Sequence, residues 1–182
     1  MIKPWETLAS ELVFDTRWYK VRKDVVRLPT GKIMEDYFVS VRPDVAIVFG
    51  LTEHNQVVLV RQYKQAVKAI TLELPAGTFT NEIPVEAARR ELLEETGYEC
   101  ETLVPLGSVF DDASKNSNLV HMFLGRGARR IADQELDSRG ESAGIDIELL
   151  LLDDLRTTLR QGEIRAQSSV VAAYRALDEL GR

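Results

Sequence analysis

The chain has 182 residues, 45% of them hydrophobic and 29% charged, which is ordinary globular usage and argues against a disordered chain, a fibrous repeat or a multidomain assembly. Its 23 Lys and Arg against 29 Asp and Glu give a net charge of −6 with no cationic run, so duplex DNA is not an expected partner, and an anionic ligand must be met by a few placed cations or by a metal ion. One cysteine, Cys100, and two histidines, His54 and His121, supply neither an intramolecular disulfide nor a zinc cage. The start M-I-K-P-W-E-T has no apolar signal core, and no run approaches the ~18 apolar residues of a membrane span, so the expected location is cytoplasmic, away from membranes.

Trp18 to Arg42 reads as strand, turn, strand, with P-T-G-K at Pro29 to Lys32 between two runs rich in Val and aromatics, and predicts an N-terminal hairpin. Pro43 has no amide to donate to a ladder and marks the expected boundary between a β-rich arm at 1–42 and a main body at 43–182. Val45 to Leu51 is almost wholly apolar, as in a strand buried on both faces, and a polar turn at His54 and Asn55 leads into V-V-L-V-R-Q, a second hairpin. Pro84 to Thr96 predicts a helix, with Pro in its first turn, Ala87, Ala88, Leu92 and Leu93 as an apolar stripe and Gly97 as a left-handed cap. Strands are expected at Thr102 to Phe110, Leu119 to Leu124 and Ile145 to Leu152, with a long polar loop over Gly125 to Gly144. A last helix is expected over Gln167 to Leu180, with Val170, Tyr174 and Leu177 on one face.

The chemically informative stretch is L-P-A-G-T-F-T-N-E-I-P-V-E-A-A-R-R-E-L-L-E-E-T-G-Y, Leu74 to Tyr98. Glu91, Glu94 and Glu95 stand at i, i+3 and i+4, so a helix stacks three carboxylates on one ridge. Alone, such a ridge is most simply a solvated face, with Arg90 paired to Glu94 one turn on. Finding Glu82, Arg90, Glu91, Glu94, Glu95 and Gly97 together in one window has odds on the order of one in 10⁵ at average residue usage.

This stretch resembles the Nudix box, G-x5-E-x7-R-E-U-x-E-E-x-G-U with U apolar, and matches it from Glu82 onward, Tyr98 standing loosely for the last apolar residue. The opening glycine departs from the pattern: Ala76 falls in its slot, and only four residues separate Gly77 from Glu82. The resemblance implies a hard cation, Mg²⁺ or Mn²⁺, held by Glu91, Glu95 and the main-chain carbonyl of Ala76, with Glu94 and Arg90 among the catalytic residues. V-L-V-R-Q-Y at Val58 to Tyr63, L-E-L-P-A-G, and an arm with Trp18 and an L-P-T-G turn look like the Nudix subgroup that cleaves ADP-ribose and other nucleoside diphosphate sugars. That subgroup implies an α/β/α sandwich of mixed sheet, preceded by a β-rich arm exchanged across a homodimer.

The same resemblance implies that Arg61 grips a diphosphate with its fork of donors and that Glu73 is a polar contact in the site. Trp5, Trp18 and Tyr19 offer faces for a nucleobase, or else belong to the core of an interface between subunits. Glu141 falls where relatives carry the general base, with Glu135 and Asp137 as rivals, and Ala143 stands where a second carboxylate is usual. The segment D-D-A-S-K-N-S-N, Asp111 to Asn118, replaces the S-P-G turn of dedicated ADP-ribose enzymes and points to a broader sugar range, with Ser114, Lys115 and Asn116 facing the terminal sugar. The expected reaction is hydrolysis of a nucleoside diphosphate sugar to a nucleoside monophosphate and a sugar phosphate. Two alternatives stay open: a nucleoside triphosphate or RNA 5′-end pyrophosphohydrolase, and a noncatalytic nucleotide-sensing module. The arm argues against the first and the retained Glu91, Glu94 and Glu95 against the second.

Overall fold

The computed structural model describes residues 1–136 and 144–182, so Glu141 and Asp137 lie outside the described residues. The chain divides into two units, Met1–Pro43 with Phe110–Leu119, and Asp44–Val109 with Val120–Arg182. The first unit is an antiparallel sheet of β1 (Glu6–Asp15), β2 (Lys20–Arg27) and β3 (Ile33–Val41), in that order. The predicted hairpin is β2 and β3, closed by Leu28 N–H to Lys32 O at 2.8 Å; β1 is an addition the sequence did not announce. All ten residues of β1 are exposed, Leu8, Leu12, Val13 and Phe14 among them. Asp111 to Asn118 joins this unit through Ser40 N–H to Lys115 O at 2.7 Å and Ser117 N–H to Ser40 O at 3.0 Å.

The second unit is built on a mixed sheet ordered β11 (Ile145–Leu151), β5 (Gln56–Lys64), β4 (Asp44–Thr52), β10 (Leu119–Arg130), β8 (Tyr98–Glu99). Three more strands attach to it: β6 (Ala69–Glu73) on β5, β7 (Ala76–Phe79) on β4 and β9 (Thr102–Phe110) on β10. The β4–β10 pair is parallel, and the β10–β8, β11–β5, β4–β5, β4–β7 and β5–β6 pairs are antiparallel. The apolar run at Val45 to Leu51 has the burial its composition requires: Ala46 and Val48 pack with Ala87, Ala88 and Leu92 of α1 (Pro84–Thr96). Its alternate residues Ile47, Phe49 and Leu51 pack with α2 (Leu152–Gln161) and α3 (Gln167–Glu179). Helices thus cover both faces of one sheet, which is why its central strands lack polar alternation.

Four expectations change. The second hairpin pairs only beside its turn, at Gly50 with Val58 and Leu51 with Val57, because β7 takes the other half of β4's edge. The polar loop expected from Gly125 begins later, since β10 runs on to Arg130 and the bare Cα of Gly125 accommodates the Cys100 thiol. On α3 the buried face is Ser169, Ala172, Ala173, Ala176 and Leu177, whereas Tyr174 is exposed. Finally, α2 follows β11 with no connecting residue, its Leu152, Leu155 and Leu159 forming a helical stripe that the apolar run before it disguises.

Candidate active site

Helix α1 forms where its punctuation dictates, Pro84 opening it and Gly97 closing it at φ +71° with its N–H on Leu93 O at 2.7 Å. A side chain at 97 would collide with the carbonyl of Ala132. Along one i, i+4 row, Ala87, Glu91 and Glu95 all point inward, so the row that begins as core ends as two buried carboxylates, 7% and 2% exposed.

Each of these acids has a prepared place. The Glu91 carboxylate lies against the Cα of Gly77, where any Cβ would fall on it. Glu95 Oε2 accepts the main-chain N–H of Ala76 at 2.9 Å, which brings the Ala76 backbone beside that carboxylate. The turn before Ala76 is fixed in turn by Leu74 N–H to Ser169 Oγ at 3.0 Å and Val48 N–H to Pro75 O at 3.0 Å. Arg90 collects the remaining acids: Glu91 at 2.8 Å, Glu94 at 2.9 Å and Glu82 at 3.2 Å. Burial works against its charge, yet hydrogen bonds and charge from Glu82, Glu91 and Glu94 push its pKa further up, so Arg90 remains a cation. The short loop before α1 therefore still delivers Glu82 to the box arginine.

One guanidinium is shared among Glu82, Glu91 and Glu94, and a main-chain amide donates to Glu95, so four carboxylates gather at one end of the helix and the loop before it. Among the described residues no three His, Cys, Asp or Glu side chains gather into a closed cage. A hard cation that keeps water and takes phosphate oxygens does not need one. The donors shown here, carboxylate oxygens on a glycine-backed cradle with the Ala76 main chain beside them, suit Mg²⁺ or Mn²⁺ and would serve a soft metal poorly.

The other sequence-derived residues fall as follows. Arg61 is engaged by Glu148 of β11, Nε and Nη2 reaching one carboxylate oxygen at 2.9 and 2.7 Å. Glu73 faces Lys64 at 3.8 Å. Arg61, Lys64 and Glu73 line a cavity of about 840 Å³ with Val67, Ile70 and Arg165, and Glu91, Glu94 and Glu95 are not among its lining residues. In the first unit, Trp18 is exposed under the Arg17 guanidinium at 4.7 Å, and Trp5 packs edge-on to Tyr37. Ser114 and Asn116 are tied within their own turn, to Asp112 at 2.6 Å and Asp111 at 2.8 Å. Glu135 is exposed, its main-chain N–H on Glu94 O at 2.9 Å. Cys100 is buried and its thiol pKa is pushed up to about 12 by that burial, which suits inert packing.

Three groups beside these residues were not legible beforehand. Glu148 sits at alternate spacing on a strand whose partner the sequence does not name. His121 Nε2 lies 3.1 Å from Asp44, a contact made by the parallel β4–β10 pairing. Gln134 Nε2 donates to two main-chain carbonyls, contacts that leave no side-chain pattern to detect.

Comparison with known proteins agrees with this geometry. Residues 41–174 match the family described as NUDIX domain, and residues 5–40 match the nucleoside diphosphate sugar hydrolase N-terminal domain. The chain is 30% identical to a methanol dehydrogenase activator of Bacillus methanolicus, over 96% of this chain and 94% of that one. It is 26% identical to an ADP-ribose pyrophosphatase of Bacillus subtilis (strain 168), over the same shares of 96% and 94%. A solved structure of an ADP compounds hydrolase shares the fold at a TM-score of 0.86 and 18% identity, covering 100% of this chain and 96% of that one. With the box carboxylates gathered on α1 and both family matches in sequence, the chain belongs to the Nudix family, as an enzyme of its nucleoside diphosphate sugar pyrophosphatase group.

Proposed function

We propose that this protein hydrolyses the pyrophosphate bond of nucleoside diphosphate sugars of the ADP-ribose, ADP-glucose and GDP-mannose type, releasing a nucleoside monophosphate and a sugar phosphate. The observation that carries the reading is the carboxylate cluster on α1, in which Arg90 is shared among Glu82, Glu91 and Glu94 beside the buried Glu95. Glu91, Glu95 and the Ala76 carbonyl would hold Mg²⁺ or Mn²⁺, which when bound neutralises a diphosphate and makes water more acidic. Arg90 keeps Glu91 and Glu94 in place and Glu94 supports the ligands. Arg61 exchanges Glu148 for diphosphate oxygens, since its fork suits either anion. Glu141 takes the proton of the attacking water. To Glu73, Trp18, Ser114 and Asn116 we assign contacts with sugar or base.

We also read the working form as a homodimer, because β1 presents Leu8, Leu12, Val13 and Phe14 to solvent along a strand of ten exposed residues. Light scattering at micromolar concentration should give twice the chain mass, and deletion of residues 1–42 should lower solubility and activity. For the arm at 1–42 and the body at 43–182 this assigns assembly to one and chemistry to the other. No described helix is long and apolar enough to cross a membrane, in keeping with a cytoplasmic site of action.

The test is metal-dependent product release across ADP-ribose, ADP-glucose, GDP-mannose, UDP-glucose and nucleoside triphosphates. Diphosphate sugars should exceed triphosphates by at least about tenfold in kcat/KM, about 1.4 kcal/mol of transition-state preference. A preference for triphosphates, or turnover of none, overturns the reading. Several sugars should be accepted, because Asp111 to Asn118 lacks the S-P-G turn.

A further inference from the structure

The last turn of an α-helix leaves main-chain carbonyls without helical partners, and on α1 these belong to the acids themselves. Gly97 N–H covers Leu93 O at 2.7 Å, and the next two acceptors are covered from outside the helix. Glu135 N–H reaches Glu94 O at 2.9 Å, and Gln134 Nε2 reaches Glu95 O at 2.6 Å. The same Gln134 nitrogen reaches Ile145 O at 2.9 Å. Ile145 is the first residue of β11, the last strand of its sheet on that side. The glutamine amide thus ties the end of α1 to the first residue of that edge strand.

An amide NH₂ has two hydrogens, and here each has its own carbonyl acceptor. The orientation is forced, because a flipped amide would turn its oxygen toward two carbonyl oxygens. Ile131 and Ala132 N–H groups on Gly97 O, at 2.9 and 3.2 Å, hold the approach to Gln134 against the same helix end. Glu95 is consequently gripped twice: Ala76 N–H holds its carboxylate at 2.9 Å, and Gln134 holds its main chain.

We propose that Gln134 is a positioning residue for the metal-binding carboxylates, clasping the main chain of Glu95 to the start of β11 so that the Glu95 carboxylate meets its cation without rearrangement. The proposal rests on the reading of Glu95 as a metal ligand. A carboxylate held at one end only must be reordered on each binding event, and the second grip removes that cost. Two properties should follow together, tighter metal binding and faster turnover, with little effect on substrate affinity.

The test compares Gln134→Leu, which removes both donors without adding charge, and Gln134→Glu, which keeps the shape but cannot donate when ionised. Glu95→Gln serves as the reference. Mn²⁺ affinity of the full-length protein is measured by electron paramagnetic resonance without substrate, and kcat and KM at saturating Mn²⁺, all far below the thermal midpoint. Both Gln134 variants should bind Mn²⁺ about 10–100-fold more weakly than wild type and lose kcat by a similar factor, while KM stays within about threefold. A lowered thermal midpoint with unchanged Mn²⁺ affinity and kcat would overturn the proposal in favour of a purely structural glutamine. So would an effect of Gln134→Glu that Gln134→Leu does not share, since that is repulsion by the new charge. If Glu95→Gln itself binds Mn²⁺ like wild type, the metal site is misassigned and both readings fall. If only Glu95→Gln is impaired, the metal site stands and this inference alone fails.

Discussion

Asp24 on β2 and Glu91 with Glu95 on α1 are the buried acids among the described residues, and the two regions treat them differently. Asp24 is a closed account of charge. Arg22 Nε and Nη2 meet its two oxygens at 2.9 Å each, and Ser10, its register partner on β1, donates a further hydrogen bond. One cation answers one anion, and a neutral donor takes what is left. On α1, by contrast, Arg90 answers Glu82, Glu91 and Glu94, and Glu95 leans on a backbone amide. Crowding buried carboxylates costs stability, so a fold that gathers several in one place has a use for them there. On the proposed function the contrast is between an acid kept for the fold and acids kept for chemistry, and substitutions can break it.

The largest effect is expected where the carboxylates gather. Glu91→Gln combined with Glu95→Gln should lower kcat/KM by about 10⁴-fold, about 5.4 kcal/mol of transition-state stabilisation. It should abolish Mn²⁺ binding while leaving the metal-free thermal midpoint unchanged or raised, since like charges are relieved. A fall in the midpoint with activity retained would make these acids structural, as Asp24 is, and erase the contrast. Next comes the proposed proton acceptor: Glu141→Gln should lose about 10²–10⁴-fold in kcat with metal and substrate affinity kept. Glu135→Gln and Asp137→Asn should lose less than about tenfold; a larger loss in either moves the base to that residue.

How much of this was legible beforehand follows from where each interaction is written. Helix α1 was readable to both ends because Pro84 and Gly97 are local signals, and its acids were readable because i, i+3 and i+4 spacing is local too. The burial of β4 was readable from an apolar run with no alternation. Strand β1 was not, since T-L-A-S-E-L-V-F buries neither face and so carries no period-two pattern. Helix α2 was hidden because Leu149 to Leu152 joins strand and helix in one apolar run, with no capping side chain at Leu151. The pairing of Arg61 with Glu148 and the clasp made by Gln134 join residues 87 and 39 positions apart, contacts that only the assembled sheet and helix create.

A subtler break leaves every charge in place. Gly77→Ala puts a methyl group where the Glu91 carboxylate lies, so that acid must move although its partner Arg90 is untouched. A displacement of this size in a proposed metal ligand should cost about 10²-fold in kcat/KM. The same enzyme should show weakened Mn²⁺ affinity and nearly unchanged stability in steady-state and thermal assays. Wild-type kinetics in this variant would mean that the glycine cradle is not what orients Glu91, and the geometric half of the contrast would be lost.

The smallest effect belongs to the closed pair, and its pH dependence identifies it. Burial opposes ionisation of Asp24, but the hydrogen bonds from Arg22 and Ser10 and the Arg22 charge outweigh it and hold the carboxyl below its ordinary value of 3.8. A depressed folded-state pKa contributes stability that is fully present above the unfolded value and disappears as pH falls through the folded one. Arg22 is partly solvated, so the contribution is modest: Asp24→Asn should cost about 1 kcal/mol near neutrality, a drop of about 2–4 °C in midpoint. The gap to wild type should narrow below about pH 4, where the unfolded carboxyl already holds its proton. Metal affinity and kcat/KM per folded molecule should not change. A gap that persists unaltered at low pH would show that shape rather than charge holds Asp24, and a loss of metal affinity would show that the two buried acidic sites are not independent.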